Sequence, residues 1–141
     1  FGYRTSLFEK LNSEGKTAVI LGFEAILSKG NKDEITAKVD DLRNRRTASQ
    51  PLDVPSAGST FKRPEGYFAA KLIEDAGLKG FALDDSGAQV SPKHAGFVVN
   101  NGGTAKASDV KRLIDYVVEK VYEDSGVRLE KEVRLVGNFG G

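Results

Sequence analysis

The chain has 141 residues, 21 of them basic and 20 acidic, with one histidine and no Cys, Met or Trp. A balance this close to neutral excludes a general polyanion binder, whose affinity rests on surplus cations, and so argues against nucleic-acid and membrane-surface partners. Without Cys there is no disulfide frame, thiolate metal site or Cys nucleophile, and no apolar run approaches the roughly 20 residues of a membrane span. A single domain with a real core is expected at this length. Residues 1–8 are aromatic-rich and give way to a polar turn from Asn12 to Lys16. Residues 17–27 are β-branched and apolar, and predict a strand pairing back on the first segment.

Asn31 is placed to cap a helix, with Glu34 three residues on, and Ile35, Val39 and Leu42 form that helix's apolar stripe. Arg43, Arg45 and Arg46 suit its C-terminal end, where cations complement the helix dipole. Residues 47–64 read as loop, punctuated by Pro51 and Pro55. A second helix is predicted over residues 65–76, closed by Gly77 in a left-handed cap with Leu78 as its hydrophobic contact. Asp84 to Gly87 reads as a turn, residues 96–100 as a short buried strand, and Asn101-Gly102-Gly103 as another turn. The clearest helix carries Val110, Leu113, Ile114, Val117, Val118 and Val121, with Ser108 as its cap and Gly126 as its stop. Residues 129–136 predict a last strand. Helical periodicity interleaved with short strands, without regular βαβ alternation, predicts an α+β fold: a mainly antiparallel sheet with about three packed helices.

Two places carry chemistry. In residues 55–64, Gly58 permits a positive φ or a close approach, Ser59 offers a hydroxyl, and Lys62 and Arg63 add fixed positive charge suited to phosphate or carboxylate. On spacing alone the same loop also reads as an ordinary surface turn. On the last predicted strand Glu130, Glu132 and Arg134 share one face, and neighbours two apart sit roughly 7 Å from each other, within reach of one ligand. That pattern also suits a solvated face with a weak ion pair. There is no GxGxxG and no P-loop, and His94 has neither zinc-ligand partners nor a triad acid near it in sequence, so no metal site is expected.

The segments FGYRTS (1–6), QPL (50–52), PSAGSTFKRP (55–64), KLIEDAGLKG (71–80), AQVS (88–91), KHAGF (93–97) and LEKEVR (129–134) fall in one order along the chain. In that order they resemble the C-terminal part of the UDP-N-acetylenolpyruvoylglucosamine reductases, flavoenzymes of bacterial peptidoglycan precursor synthesis. The resemblance implies that NADPH reduces bound FAD, which passes hydride to the enolpyruvyl ether of UDP-N-acetylglucosamine enolpyruvate to give UDP-N-acetylmuramate. By position, Ser59 matches the family's proton donor, and Arg4 and Glu132 match the pair that holds the substrate carboxylate and stabilises the enolate-like intermediate. Tyr3, Lys62, Arg63, Lys79, His94 and Arg134 fall where the family contacts its nucleotide-sugar substrate.

The resemblance departs from the family at residues 81–87, a turn slightly longer than usual, and in lacking the N-terminal FAD-binding region. It also shows no insertion between Leu27 and Gln50, as in the subclass without a substrate-covering tyrosine loop. A chain that begins at Phe1 without Met is expected to be a processed or excised piece, with a missing FAD-binding domain of the same polypeptide as its partner. It is expected to be inactive alone, and a cytoplasmic, bacterial setting fits the absence of a signal peptide or span. Two other classes stand beside this one: a nucleotide-sugar binding module without redox activity, and a protein-interaction domain that docks through the basic loop.

Overall fold

The computed structural model describes Gly2 and residues 5–139, and divides the chain into two compact units, Phe1–Ile35 and Thr36–Gly141. In the first unit helix α1 (Leu7–Ser13) has no buried residue and ends where Gly15 adopts φ 72°. The strand predicted over residues 17–27 does not form. Leu21 is 96% exposed and Phe23 90% exposed. A strand exists only by pairing, because its backbone groups need a neighbour's. The residues expected to supply that neighbour instead enter α1 from Leu7, so the apolar run has no ladder among the described residues.

Helix α2 (Lys32–Ser49) begins where Asn31 was expected to cap it: Asn31 Oδ1 accepts from the amides of Asp33 at 2.9 Å and Glu34 at 3.3 Å. Its stripe of Ile35, Val39 and Leu42 remains more than half exposed. Near its end Arg45 bonds Asp41 at 3.1 Å and Arg46 bonds Gln50 at 3.1 Å, so these cations are held by side chains as well as by the helix end.

The second unit holds the sheet. Strands β1 (Ser56–Ser59), β2 (Ala88–Val90) and β3 (Phe97–Asn100) lie in the order β1-β3-β2 with antiparallel neighbours throughout. Helices α3 (Ala69–Asp75) and α4 (Ala107–Ser125) close the core over it. The predicted α+β class with an antiparallel sheet is what the chain adopts. The period read in α4 is met side chain for side chain: Leu113, Ile114, Val117, Val118 and Val121 are buried and join Ile73, Leu78, Val90 and Val98.

Several boundaries differ from the sequence reading. β1 lies inside the segment read as loop, because its small residues carry little strand signal. α3 starts at Ala69 rather than residue 65, since Gly66 sits at φ 75° and the Tyr67 amide turns back to the Pro64 carbonyl at 3.1 Å. Its end is as expected: Gly77 has φ 72°, the Leu78 amide reaches the Ile73 carbonyl at 3.0 Å, and Leu78 is buried. α4 is capped two residues earlier than Ser108, with Lys106 as cap residue and its amide donating to the Asp109 carboxylate at 2.9 Å. The last predicted strand shrinks to one antiparallel bridge, Phe61 with Lys131. No described helix is long and apolar enough to cross a membrane.

Candidate active site

Ser59 owes its placement to a bulge. Ser56 pairs with Val99 and Ser59 with Phe97, so β1 spends one residue more than β3 between the two pairs. Gly58 takes up the difference at φ 86°, with open space where a side chain would stand. Such a bulge re-aims the side chain beside it, and Ser59 emerges exposed at the end of β1.

The next residue ties Ser59 to Glu132. The Thr60 amide donates to the Gly96 carbonyl at 2.9 Å, while the Thr60 carbonyl accepts from the Glu132 amide at 2.9 Å. The Lys62 amide donates to the Glu130 carbonyl at 2.8 Å, completing a short ladder. Ser59 and half-buried Glu132 therefore flank one backbone hydrogen bond. Thr60 was not singled out in the sequence; a β-branched hydroxyl residue beside an exposed serine was the available signal.

That ladder ends at Glu132 and the chain bends at Val133, so strand alternation does not carry Arg134 onto Glu132's face as expected. Arg134 instead lines a cavity of about 530 Å³ between β1, β3, α4 and the C-terminal segment, walled by Val98, Val110, Ile114, Val133 and Leu135. Lys111, on the same wall, is held by Asp115 at 2.7 Å. Thr60 reaches this cavity and Ser59 does not. The bulge that presents Ser59 and the ladder to Glu132 are therefore distinct from this cavity, which they meet through Thr60.

His94 stands beside the partner of Ser59. The Gly96 amide donates to His94 Nδ1 at 3.1 Å, which leaves Nε2 to carry the proton of the neutral ring, and the ring meets Phe97 edge-on at 5.0 Å. A second residue missed in the sequence sets this up: buried Ser91 accepts at Oγ from the amides of Lys93 at 3.1 Å and His94 at 3.3 Å. The Ser91-Pro92 pair, a turn-initiating dipeptide, was its signal. Arg63 stacks over the Phe68 ring at 4.0 Å and bonds the Tyr67 carbonyl at 3.3 Å. Lys79 pairs with Glu74 at 2.9 Å, and Lys62 pairs with Glu130. Tyr3 and Arg4 lie outside the described residues. The structure thus brings Ser59, Glu132 and His94 to the Thr60–Gly96 junction, with Lys62 and Arg63 following along the chain beyond β1, while Arg134 diverges and Lys79 is tied to α3.

A family model described as UDP-N-acetylenolpyruvoylglucosamine reductase, C-terminal domain, matches residues 50–136. The chain belongs to that family. The UDP-N-acetylenolpyruvoylglucosamine reductase of Clostridium perfringens (strain ATCC 13124) is 52% identical over 136 residues, covering 96% of this chain and 42% of the relative. That of Limosilactobacillus reuteri is 52% identical over 138 residues, covering 97% and 43%. The crystal structure of UDP-N-acetylenolpyruvylglucosamine reductase from Thermus caldophilus superposes with a TM-score of 0.56 at 34% identity, over 76% of this chain and 37% of that one. The chain spans about two fifths of the length of these reductases. The match to the family's C-terminal domain falls wholly within the unit Thr36–Gly141, the one with the closed core.

Proposed function

We propose that this chain is the substrate-side part of a longer reductase that converts UDP-N-acetylglucosamine enolpyruvate to UDP-N-acetylmuramate in the bacterial cytoplasm. The observation that carries this reading is the hydrogen bond from the Glu132 amide to the Thr60 carbonyl, which joins the backbone at Glu132 to the residue that follows bulge-presented Ser59. Membership of the reductase family supplies the reaction.

The described residues do not fit an FAD by themselves. The 530 Å³ cavity is walled mostly by aliphatic side chains, and its one lysine is already held by Asp115. No run of backbone amides cradles a diphosphate there, and the sequence holds no glycine-rich phosphate loop. The flavin, reduced by NADPH and the source of the hydride, belongs in this reading to the rest of the polypeptide. What this chain contributes lies at the substrate. Hydride arriving at one alkene carbon leaves negative charge beside the substrate carboxylate, and the Ser59 hydroxyl gives its proton to the other carbon. A hydroxyl is a weak acid toward water but adequate toward an enolate in a dry, cation-lined site. Glu132, with Arg4, holds the carboxylate end and stabilises that intermediate.

Binding of the nucleotide sugar falls to Tyr3, Lys62, Arg63, Lys79 and His94, with Arg134 at the margin. Lys62 and Lys79 are paired with exposed Glu130 and Glu74. Exposed pairs are worth little and open readily to a diphosphate, whose oxygens compete for the same ammonium groups. His94 Nε2–H and the Arg63 fork are further donors.

The test is pre-steady-state kinetics of the longer protein. Ser59→Ala should leave flavin reduction by NADPH nearly unchanged and slow flavin reoxidation by the enolpyruvyl substrate roughly 10²- to 10⁴-fold, because the hydroxyl acts only after hydride transfer begins. Reoxidation at the wild-type rate would remove Ser59 from the chemistry.

A further inference from the structure

We infer that Thr60 is the positioning residue that holds Ser59 and Glu132 in register with each other, an inference that rests on the reductase reading above. In a regular antiparallel ladder the N–H and C=O of one residue serve the same neighbouring strand. Thr60 breaks that rule. Its N–H serves β3, at the Gly96 carbonyl, while its C=O serves Glu132 on the opposite side. The chain thus changes partner within a single residue, immediately after the bulge that presents Ser59.

A change of partner has a cost on the side that is abandoned. Opposite Thr60 the Gly96 amide donates to His94 Nδ1 at 3.1 Å, and Thr60 Oγ1 accepts from the amide of buried Val98 on β3 at 3.0 Å. Thr60 is itself only 2% exposed. One residue therefore supplies two acceptors to two different segments: a hydroxyl to β3 and a carbonyl to Glu132. Held to β3 by both its amide and its hydroxyl, Thr60 keeps the orientation in which its carbonyl faces Glu132. Ser59 lies one peptide bond from this junction, and Glu132 one hydrogen bond from it. Neither the apolar core nor the bulge alone fixes their separation; the Thr60 side chain does. Valine matches threonine in shape but cannot accept; serine can accept but lacks the methyl.

Those two substitutions separate positioning from packing. In the longer reductase, Thr60→Val should slow substrate-driven flavin reoxidation roughly 10- to 100-fold, as misplacement by about 1 Å does, with NADPH-driven reduction unchanged within about twofold. Thr60→Ser should keep reoxidation within about threefold of wild type while lowering the melting temperature, since it loses a buried methyl but keeps the acceptor. In the 141-residue chain itself, the Glu132 amide should exchange with solvent about tenfold faster or more in Thr60→Val than in Thr60→Ser. Wild-type reoxidation in Thr60→Val, or Thr60→Ser as slow as Thr60→Val, would overturn the inference, as would equal Glu132 exchange in the two variants. Failure of the unmodified longer protein to reduce the enolpyruvyl substrate would instead sink the reductase reading, and the exchange comparison would still decide whether the Thr60 hydroxyl holds Glu132.

Discussion

Residues 17–27 and residues 88–100 are both rich in β-branched and apolar side chains, yet only the second run forms strands. In the second, Ala88, Val90, Val98 and Val99 are buried in β2 and β3. In the first, Val19, Ile20, Leu21, Phe23, Ile26 and Leu27 all stand exposed. Side-chain propensity is similar in the two. What differs is the neighbour: Gln89 pairs with Val99 and Val90 with Val98, whereas no described residue offers a ladder to residues 17–27. A strand is a property of a pair, and its propensity registers how well a side chain fits a surface that must already be there.

The largest effect that sharpens this contrast is in the core. Leu113→Ala empties a fully buried position under the sheet and should cost about 2–5 kcal/mol of unfolding free energy. Leu21→Ala, at a position of equal hydrophobicity but almost full exposure, should change it by no more than about 0.5 kcal/mol. Denaturant titration of the two variants reads both numbers, and equal losses would break the comparison.

Turns differ in the same way. At Gly87, φ is 98° and an added Cβ would meet the Asn101 carbonyl oxygen at 2.5 Å, so Gly87→Ala should cost about 2–3 kcal/mol from strain and collision together. At Gly58, φ is 86° but the space is open, so Gly58→Ala should cost only the left-handed strain, about 1–2 kcal/mol. Thermal melts of the two variants order them, and the reverse order would contradict the packing described around Gly87.

The smallest effect is electrostatic. Asp84 is held down to about 2, from 3.8, by the Ser86 side chain first, then by the Ser86 amide and Arg112. A carboxyl whose folded value is depressed adds stability that is complete above its ordinary range and disappears as pH falls through the folded value. The contribution of Asp84 should therefore fade between about pH 4 and pH 2, and Asp84→Asn should flatten the stability profile in that window. An NMR titration of the Asp84 carboxyl with its midpoint near 3.8 would remove the effect.

How far the fold was legible follows the same division. α4 was readable in full because six apolar residues at helical spacing are a local pattern that its packing then satisfies. The stops at Gly77 and Gly126 and the cap at Asn31 were equally local, each a side chain or a positive φ acting within one turn. The local errors, at the start of α3 and the cap of α4, moved a boundary by a few residues; the larger errors were non-local. Residues 17–27 needed a partner, β1 was hidden because SAGS becomes a strand only through β3, and residues 129–136 pair only as far as Glu132 because the chain then bends. The candidate site shows the same split: Gly58, Ser59, Arg63, His94 and Glu132 were visible as residue types or by strand alternation, and the resemblance supplied the roles of Ser59 and Glu132. Thr60 escaped notice because its role lies in facing two segments at once, which no spacing along the chain encodes.

The central claim is that Ser59 and Glu132 act on one substrate in one step, and a double-mutant cycle on the longer reductase tests it directly. Flavin reoxidation by the enolpyruvyl substrate would be timed for Ser59→Ala, Glu132→Gln and the double variant. Groups that work as a unit are strongly non-additive, so the double variant should be little slower than the slower single variant. Fully multiplicative losses would mean that the two side chains act independently, and that the Thr60 junction does not assemble a shared site.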